Sequence, residues 1–127
     1  MKKVSYLFVF LILSGTTLSA QSKYYTVKAS KAEKVIKKNN LIVLDVRTPE
    51  EVNEGAMTDA INYDFKAPGF KDQISSLPKK VPYFIYCRSG NRSAKAIEMM
   101  KSLGFTRIYH LEGGYLAYDE WKKQLGK

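Results

Sequence analysis

Val81-Pro82-Tyr83-Phe84-Ile85-Tyr86 runs without a charge into Cys87-Arg88-Ser89-Gly90-Asn91-Arg92-Ser93, after which Ala94, Ala96, Ile97, Met100 and Leu103 recur at helical spacing. An uninterrupted apolar run of this length suits a strand buried on both faces. The spacing that follows predicts a helix over 92–103, with Gly104 supplying its C-cap. Strand, short loop and helix are the building block of a parallel sheet, and the rest of the chain repeats the alternation.

Upstream, 41–46 is a second apolar run broken only by Asp45. Thr48-Pro49-Glu50-Glu51 then opens a short helix with a cap, a proline at the first helical position and acids at the positive dipole end. A short strand is expected at 24–27. Ser30 and Glu33 read as a capping box for a helix whose apolar face is Ala32, Val35 and Ile36, ending at Asn39-Asn40. Residues 60–63 are a third strand, 69–77 an amphipathic helix stopped by Pro78, and 107–111 a last strand. Gly113-Gly114 turns the chain into a closing helix carrying Leu116, Tyr118, Trp121 and Leu125. The expected fold is α/β, a single domain over 21–127 with a mostly parallel five-stranded sheet and helices on both faces. Ligands of such sheets sit outside the carboxyl ends of the strands, where Cys87 falls.

With 127 residues the chain holds one domain, and 45% hydrophobic against 26% charged residues excludes a disordered chain. Eight Gly, four Pro and one Cys exclude collagen-like and disulfide-stapled architectures. The net charge of +9 invites nucleic acid as a partner, but the N-terminus points elsewhere. Met1-Lys2-Lys3, an apolar run over 4–13 and a small-residue exit ending at Ala20 have the parts of a secretory signal. The run is shorter than the roughly 20 residues a membrane-crossing helix needs. Residues 1–20 are therefore expected to be a signal peptide, and the mature chain periplasmic or secreted, without stable membrane insertion and without a nucleic-acid partner. Removing two lysines leaves an excess of seven positive charges, suited to solubility and to steering anions. A monomer is expected. A lone cysteine in an oxidising compartment pairs between chains or is reactive.

Residues 87–93 carry the chemistry. Gly90 permits a turn that other residues resist, and a loop feeding a helix N-terminus aims several N–H groups inward, an anion-binding nest. Arg88 and Arg92 add fixed charge and forked donors. Together these features favour a thiolate at Cys87, the nucleophilic form. A lone cysteine at a strand end is ordinarily a small buried hydrophobe, and it is the flanking arginines and Gly90 that turn the reading. Asp45, a carboxylate in an apolar strand, must be paired, with Arg47 or with the loop. His110, the only histidine, reads as a partly buried strand residue rather than a partner of the thiol. Tyr86 and Tyr115 are expected near the pocket mouth.

The sequence resembles the rhodanese-like family of sulfurtransferases. Three stretches carry the resemblance: Leu44-Asp45-Val46-Arg47 with Pro49-Glu50-Glu51, the loop from Cys87 through Ser93, and Leu111-Glu112-Gly113-Gly114. The resemblance implies a ping-pong reaction in which Cys87 takes the outer sulfur of a donor such as thiosulfate as a persulfide and passes it to a thiol or cyanide. It implies that Arg88, Ser89, Gly90, Asn91, Arg92 and Ser93 cradle the anion, that Asp45 and Arg47 brace the loop, and that no metal or organic cofactor takes part. The partners so implied are a small anionic sulfur donor and a thiol acceptor. Gly55-Ala56-Met57-Thr58-Asp59-Ala60 stands where the family usually has Gly-His-Ile-Pro-Gly-Ala, a change at one rim of the pocket. Two other readings compete: a non-catalytic module that binds persulfides or senses redox state, and a cysteine-dependent phosphatase or arsenate reductase. Against the second, only four residues separate Cys87 from Arg92, and the loop holds no acid to serve as general acid.

Overall fold

Tyr83, Phe84, Ile85 and Tyr86 are all buried, as a strand covered on both faces demands. In a computed structural model, which describes Gly15 and residues 21–127, they form the middle of the sheet. The expected signal segment, 1–20, lies outside the described residues apart from Gly15. In chain order the elements are β1 (Lys23–Val27), α1 (Ala29–Asn39), β2 (Ile42–Asp45), α2 (Pro49–Asn53), β3 (Ile61–Asn62), α3 (Phe70–Ser75), β4 (Tyr83–Tyr86), α4 (Asn91–Ser102), β5 (Arg107–Leu111) and α5 (Gly114–Leu125). The five strands lie in the order β1-β5-β4-β2-β3, and every pairing is parallel.

Side chains alternate across each strand, so the two faces carry two cores. Tyr83 and Ile85 join Leu44, Val46 and Ile108 under Phe70 and Ile74 of α3 and Ala96, Ile97 and Met100 of α4. Phe84 and Tyr86 join Val43, Tyr109 and Leu111 under Ala32 of α1 and Tyr118 of α5. The same alternation sends Cys87 to the α3/α4 side, into the first cluster. The register fixes the level of the site: Asp45 pairs with Tyr86 and Ile85 with His110. The strand ends at Asp45 and Tyr86 therefore sit side by side, with His110 one residue before the end of β5.

Some local expectations give way to tertiary contacts. Helix α1 starts at Ala29 with Lys28 as N-cap and no side-chain cap. The capping box expected at Ser30 does not form, because Glu33 instead accepts hydrogen bonds from Tyr118 Oη (2.6 Å) and Lys122 Nζ (2.9 Å). On α4 the buried stripe is Ser93, Ala96, Ile97 and Met100, so Ala94 faces solvent and a serine takes an inward position. Leu103 is the C-cap, with Gly104 following it. Leu116 and Leu125 of α5 are exposed, and its packing is carried by the aromatic side chains of Tyr118 and Trp121. Helix α2 forms as expected: Thr48 and Glu51 close a reciprocal capping box with Pro49 in the first turn.

Candidate active site

Strand β4 delivers Cys87, and α4 begins four residues later at Asn91. Gly90 closes the gap as the N-cap residue, at φ 112°, a conformation that L side chains rarely adopt. Its N–H lies 3.1 Å from Cys87 Sγ, and Ser93 Oγ lies 3.2 Å away on the first turn of the helix. Cys87 is 1% exposed. Burial pushes the thiol up, but the Ser93 hydroxyl and the N–H groups of Ser93, Gly90 and Ser89 outweigh that and hold it below the ordinary thiol value. These donors meet the sulfur at a helix N-terminus, where negative charge is favoured.

The arginines of the loop differ in their surroundings. Arg92 sets both Nη atoms on the carboxylate of Glu51, at 2.7 and 2.8 Å. Arg92 holds Glu51 down to about 2, and Glu51, with smaller contributions from Cys87 and Asp64, keeps the guanidinium charged. Arg92, expected to bind the donor anion, has its fork occupied by a carboxylate at the neighbouring helix. Arg88 is exposed and pairs with no carboxylate among the described residues. Ser89 and Asn91 lie at the exposed outer edge of the loop. Ser89 contributes its backbone to the sulfur.

Asp45 and Arg47 pair as expected, though with a different target. Arg47 Nε and Nη2 meet both Asp45 oxygens at 2.7–3.1 Å, and both side chains are buried. Nη2 also donates to Gly55 O at 2.7 Å, and Nη1 to Glu51 O at 3.4 Å. The pair therefore clamps α2 and the segment after it, rather than bonding the cysteine loop directly. Its link to that loop runs through Tyr115: Arg47 stands 4.2 Å over the Tyr115 ring, and the Tyr115 N–H donates to Cys87 O at 2.8 Å. Tyr86, expected near the mouth, is instead fully buried, with its hydroxyl accepting from Met57 N at 3.0 Å. The segment that departs from the family pattern is anchored by this bond and by Met57, itself buried.

Three further residues shape the site. Glu51 is visible in the sequence only as a helix-start acid, yet it carries the bond to Arg92. Gly114 lets α5 approach the loop: a Cβ there would fall against Arg88 O and within 2.7 Å of Cys87 O. The N–H groups of Tyr115 and Leu116 take the carbonyls of Cys87 and Arg88. His110 Nε2 lies 2.6 Å from Ser93 Oγ, so the histidine is half-buried as expected but also part of the sulfur's surroundings.

A cavity of about 700 Å³ lies elsewhere, lined by Glu33, Lys37, Leu41, Met57, Asp59 and Tyr118 among others, and no residue of the loop borders it. No group of three His, Cys, Asp or Glu side chains placed to hold a metal occurs among the described residues, and no described helix is long and apolar enough to cross a membrane.

The family described as Rhodanese-like domain matches residues 28–123. The tRNA uridine(34) hydroxylase of Rickettsia rickettsii is 35% identical over 92 residues, covering 69% of this chain and 37% of that protein. The Rickettsia bellii protein of the same name is 36% identical over the same lengths. The chain thus spans under two-fifths of these curated relatives. Among solved structures, a rhodanese-related protein from Thermoplasma volcanium superposes with a TM-score of 0.68 at 32% identity, covering 77% of this chain and 93% of that one. A rhodanese-like domain protein from Staphylococcus aureus gives 0.65 at 27% identity, covering 74% and 90%.

Proposed function

The chain belongs to the rhodanese-like family, and from that premise we propose that it is a sulfurtransferase carrying sulfane sulfur on Cys87. The observation that supports this reading most is the sulfur itself: a single thiol, at the carboxyl end of the middle strand, surrounded by hydrogen-bond donors at a helix N-terminus. Such a site favours the thiolate and the persulfide anion that replaces it.

In the first half-reaction the Cys87 thiolate attacks the outer sulfur of thiosulfate. The S–S bond of the donor breaks, its electron pair leaves on sulfite, and Cys87 becomes a persulfide anion. In the second, a thiolate or cyanide attacks the terminal sulfur and the Cys87 thiolate is regenerated. Each step exchanges one bond at sulfur, so no outside oxidant or reductant enters. Arg88, exposed and paired with no acid among the described residues, meets the anionic donor at the rim. Arg92 adds charge at closer quarters while Glu51 fixes its position. Asp45 and Arg47 hold the neighbouring segment in place. With residues 1–20 as an export signal, the reaction takes place in the periplasm or outside the cell, without nucleic acid. The Rickettsia relatives bear the name of a tRNA hydroxylation and share with this chain a segment of 92 residues, 37% of their length.

A screen of donors and acceptors tests it, reading sulfite and thiocyanate release with phosphatase activity as a control. Thiosulfate-dependent release that disappears in Cys87→Ser is expected. Phosphate-ester hydrolysis without sulfite release would overturn the reading.

A further inference from the structure

Ser93 Oγ has one proton and three polar neighbours: Cys87 Sγ at 3.2 Å, Gly90 O at 3.1 Å and His110 Nε2 at 2.6 Å. The contact with His110 is the shortest. If Nε2 carries hydrogen, it donates to Oγ, and the hydroxyl proton is available to the sulfur, in competition with Gly90 O. If Nε2 is bare, it captures the hydroxyl proton, and Oγ can only accept from a thiol. The protonation of one ring nitrogen therefore decides whether the serine has a proton to offer the sulfur.

We propose that His110 is a positioning residue for the nucleophile, setting through Ser93 the direction of the hydroxyl that faces Cys87 and giving the thiol's proton a way out. The balance is simple. The Sγ–H proton passes to Oγ, the hydroxyl's own proton passes to Nε2, and the ring releases its other proton to water. Cys87 is 1% exposed, whereas half-buried His110 borders a small pocket of about 160 Å³ with Tyr24, Tyr25, Thr26, Glu98 and Lys101. The titratable groups that share this pocket with the ring are Tyr24 and Tyr25 on β1 and Glu98 and Lys101 on α4, and Cys87 is reached through Ser93. Glu98 and Lys101 pair with each other at 3.0 Å, and Lys101 Nζ stands over the Tyr24 ring, so the hydrogen bond that ties the ring to the site is the one to Ser93. Burial pushes His110 down, which favours the neutral ring, the form that can switch tautomer.

The inference rests on Cys87 as the nucleophile, not on the identity of its sulfur donor. Alkylation of Cys87 by iodoacetamide, followed by intact mass from about pH 5 to about pH 10, reads the thiolate directly. His110→Leu is expected to move the profile to higher pH and to slow alkylation at pH 7 about three- to tenfold, the loss of roughly one hydrogen bond. His110→Gln keeps an N–H donor near the Nε2 position and is expected to stay within about twofold of the wild type. In a Ser93→Ala background, His110→Leu is expected to add nothing. A wild-type profile in His110→Leu, an equal shift in both variants, or an added shift without Ser93 would each overturn the proposal. Should His110→Leu fail to fold, His110→Asn, too short to reach Ser93, takes its place with the same expectations. Sulfur uptake from thiosulfate is measured on the same wild-type samples: no uptake with the His110 pattern intact overturns the transfer reading and leaves this one standing.

Discussion

Arg92 and Glu51, 41 residues apart in sequence, meet with both Nη atoms on both carboxylate oxygens at 2.7 and 2.8 Å. Glu51 is also the closing residue of the α2 capping box, bonding Thr48. One carboxylate thus joins the start of α2 to the start of α4 and holds the guanidinium expected to bind the donor anion. Such a bidentate pair fixes orientation as well as charge. The pair has consequences for acid stability.

Glu51 is held down to about 2 when folded, against an ordinary value of 4.5. A lowered folded value means that stability is fully present above the ordinary value and is lost as pH falls towards the folded one. Thermal unfolding of wild type and Glu51→Gln should therefore differ at neutral pH and converge between about pH 4.5 and about pH 2. A difference that stays constant across that window would contradict the ion pair.

Asp45→Ala should be far more damaging than any change at a surface pair. It leaves the buried Arg47 guanidinium without its counter-charge, a loss of about 3–5 kcal/mol. Removing Asp119, whose bond to Lys123 lies on the exposed face of α5, should cost little by comparison. Urea unfolding of the two variants makes the comparison, and equal losses would mean that Arg47 finds another partner.

Gly114→Ala forces a methyl group against Arg88 O and Cys87 O at φ 62°. Helix α5 or the loop must move, at a cost of about 1–3 kcal/mol, and the bonds from the Tyr115 and Leu116 N–H groups are strained with it. Sulfite release should fall together with the melting temperature. Unchanged turnover in a folded Gly114→Ala protein would show that loop position does not depend on α5.

Arg88→Ala separates donor capture from folding, because the side chain is exposed. The KM for thiosulfate should rise several-fold with little change in melting temperature. The difference from wild type should shrink as salt is raised, since the Debye length falls from about 10 Å at 0.1 M to about 3 Å at 1 M. A KM that stays at the wild-type value would remove Arg88 from the donor's path.

The frame of this fold is written locally, and the site is written partly across the sheet. The run into Cys87, the Thr48-Pro49 helix start and the closing strand at 107–111 each carry their own signal in neighbouring residues, and the elements appear where that signal lies. What escapes a linear reading is partnership over distance. Nothing near Glu33 reveals that Tyr118 and Lys122 will claim its carboxylate from α5. Ser93 proves inward and Ala94 outward because the turn at Gly90 sets the phase of α4. The role of His110 emerges only with the register that lays it beside Ile85, two residues before Cys87. A parallel neighbour of that kind leaves no periodicity to find.

The central claim is that the lone thiol accepts and holds a sulfur atom, and intact mass after incubation with thiosulfate, followed by removal of excess donor, tests it most directly. A gain of one sulfur atom is expected, absent in Cys87→Ser and discharged by cyanide. A wild-type protein that gains nothing, or a Cys87→Ser protein that gains the same atom, would contradict it.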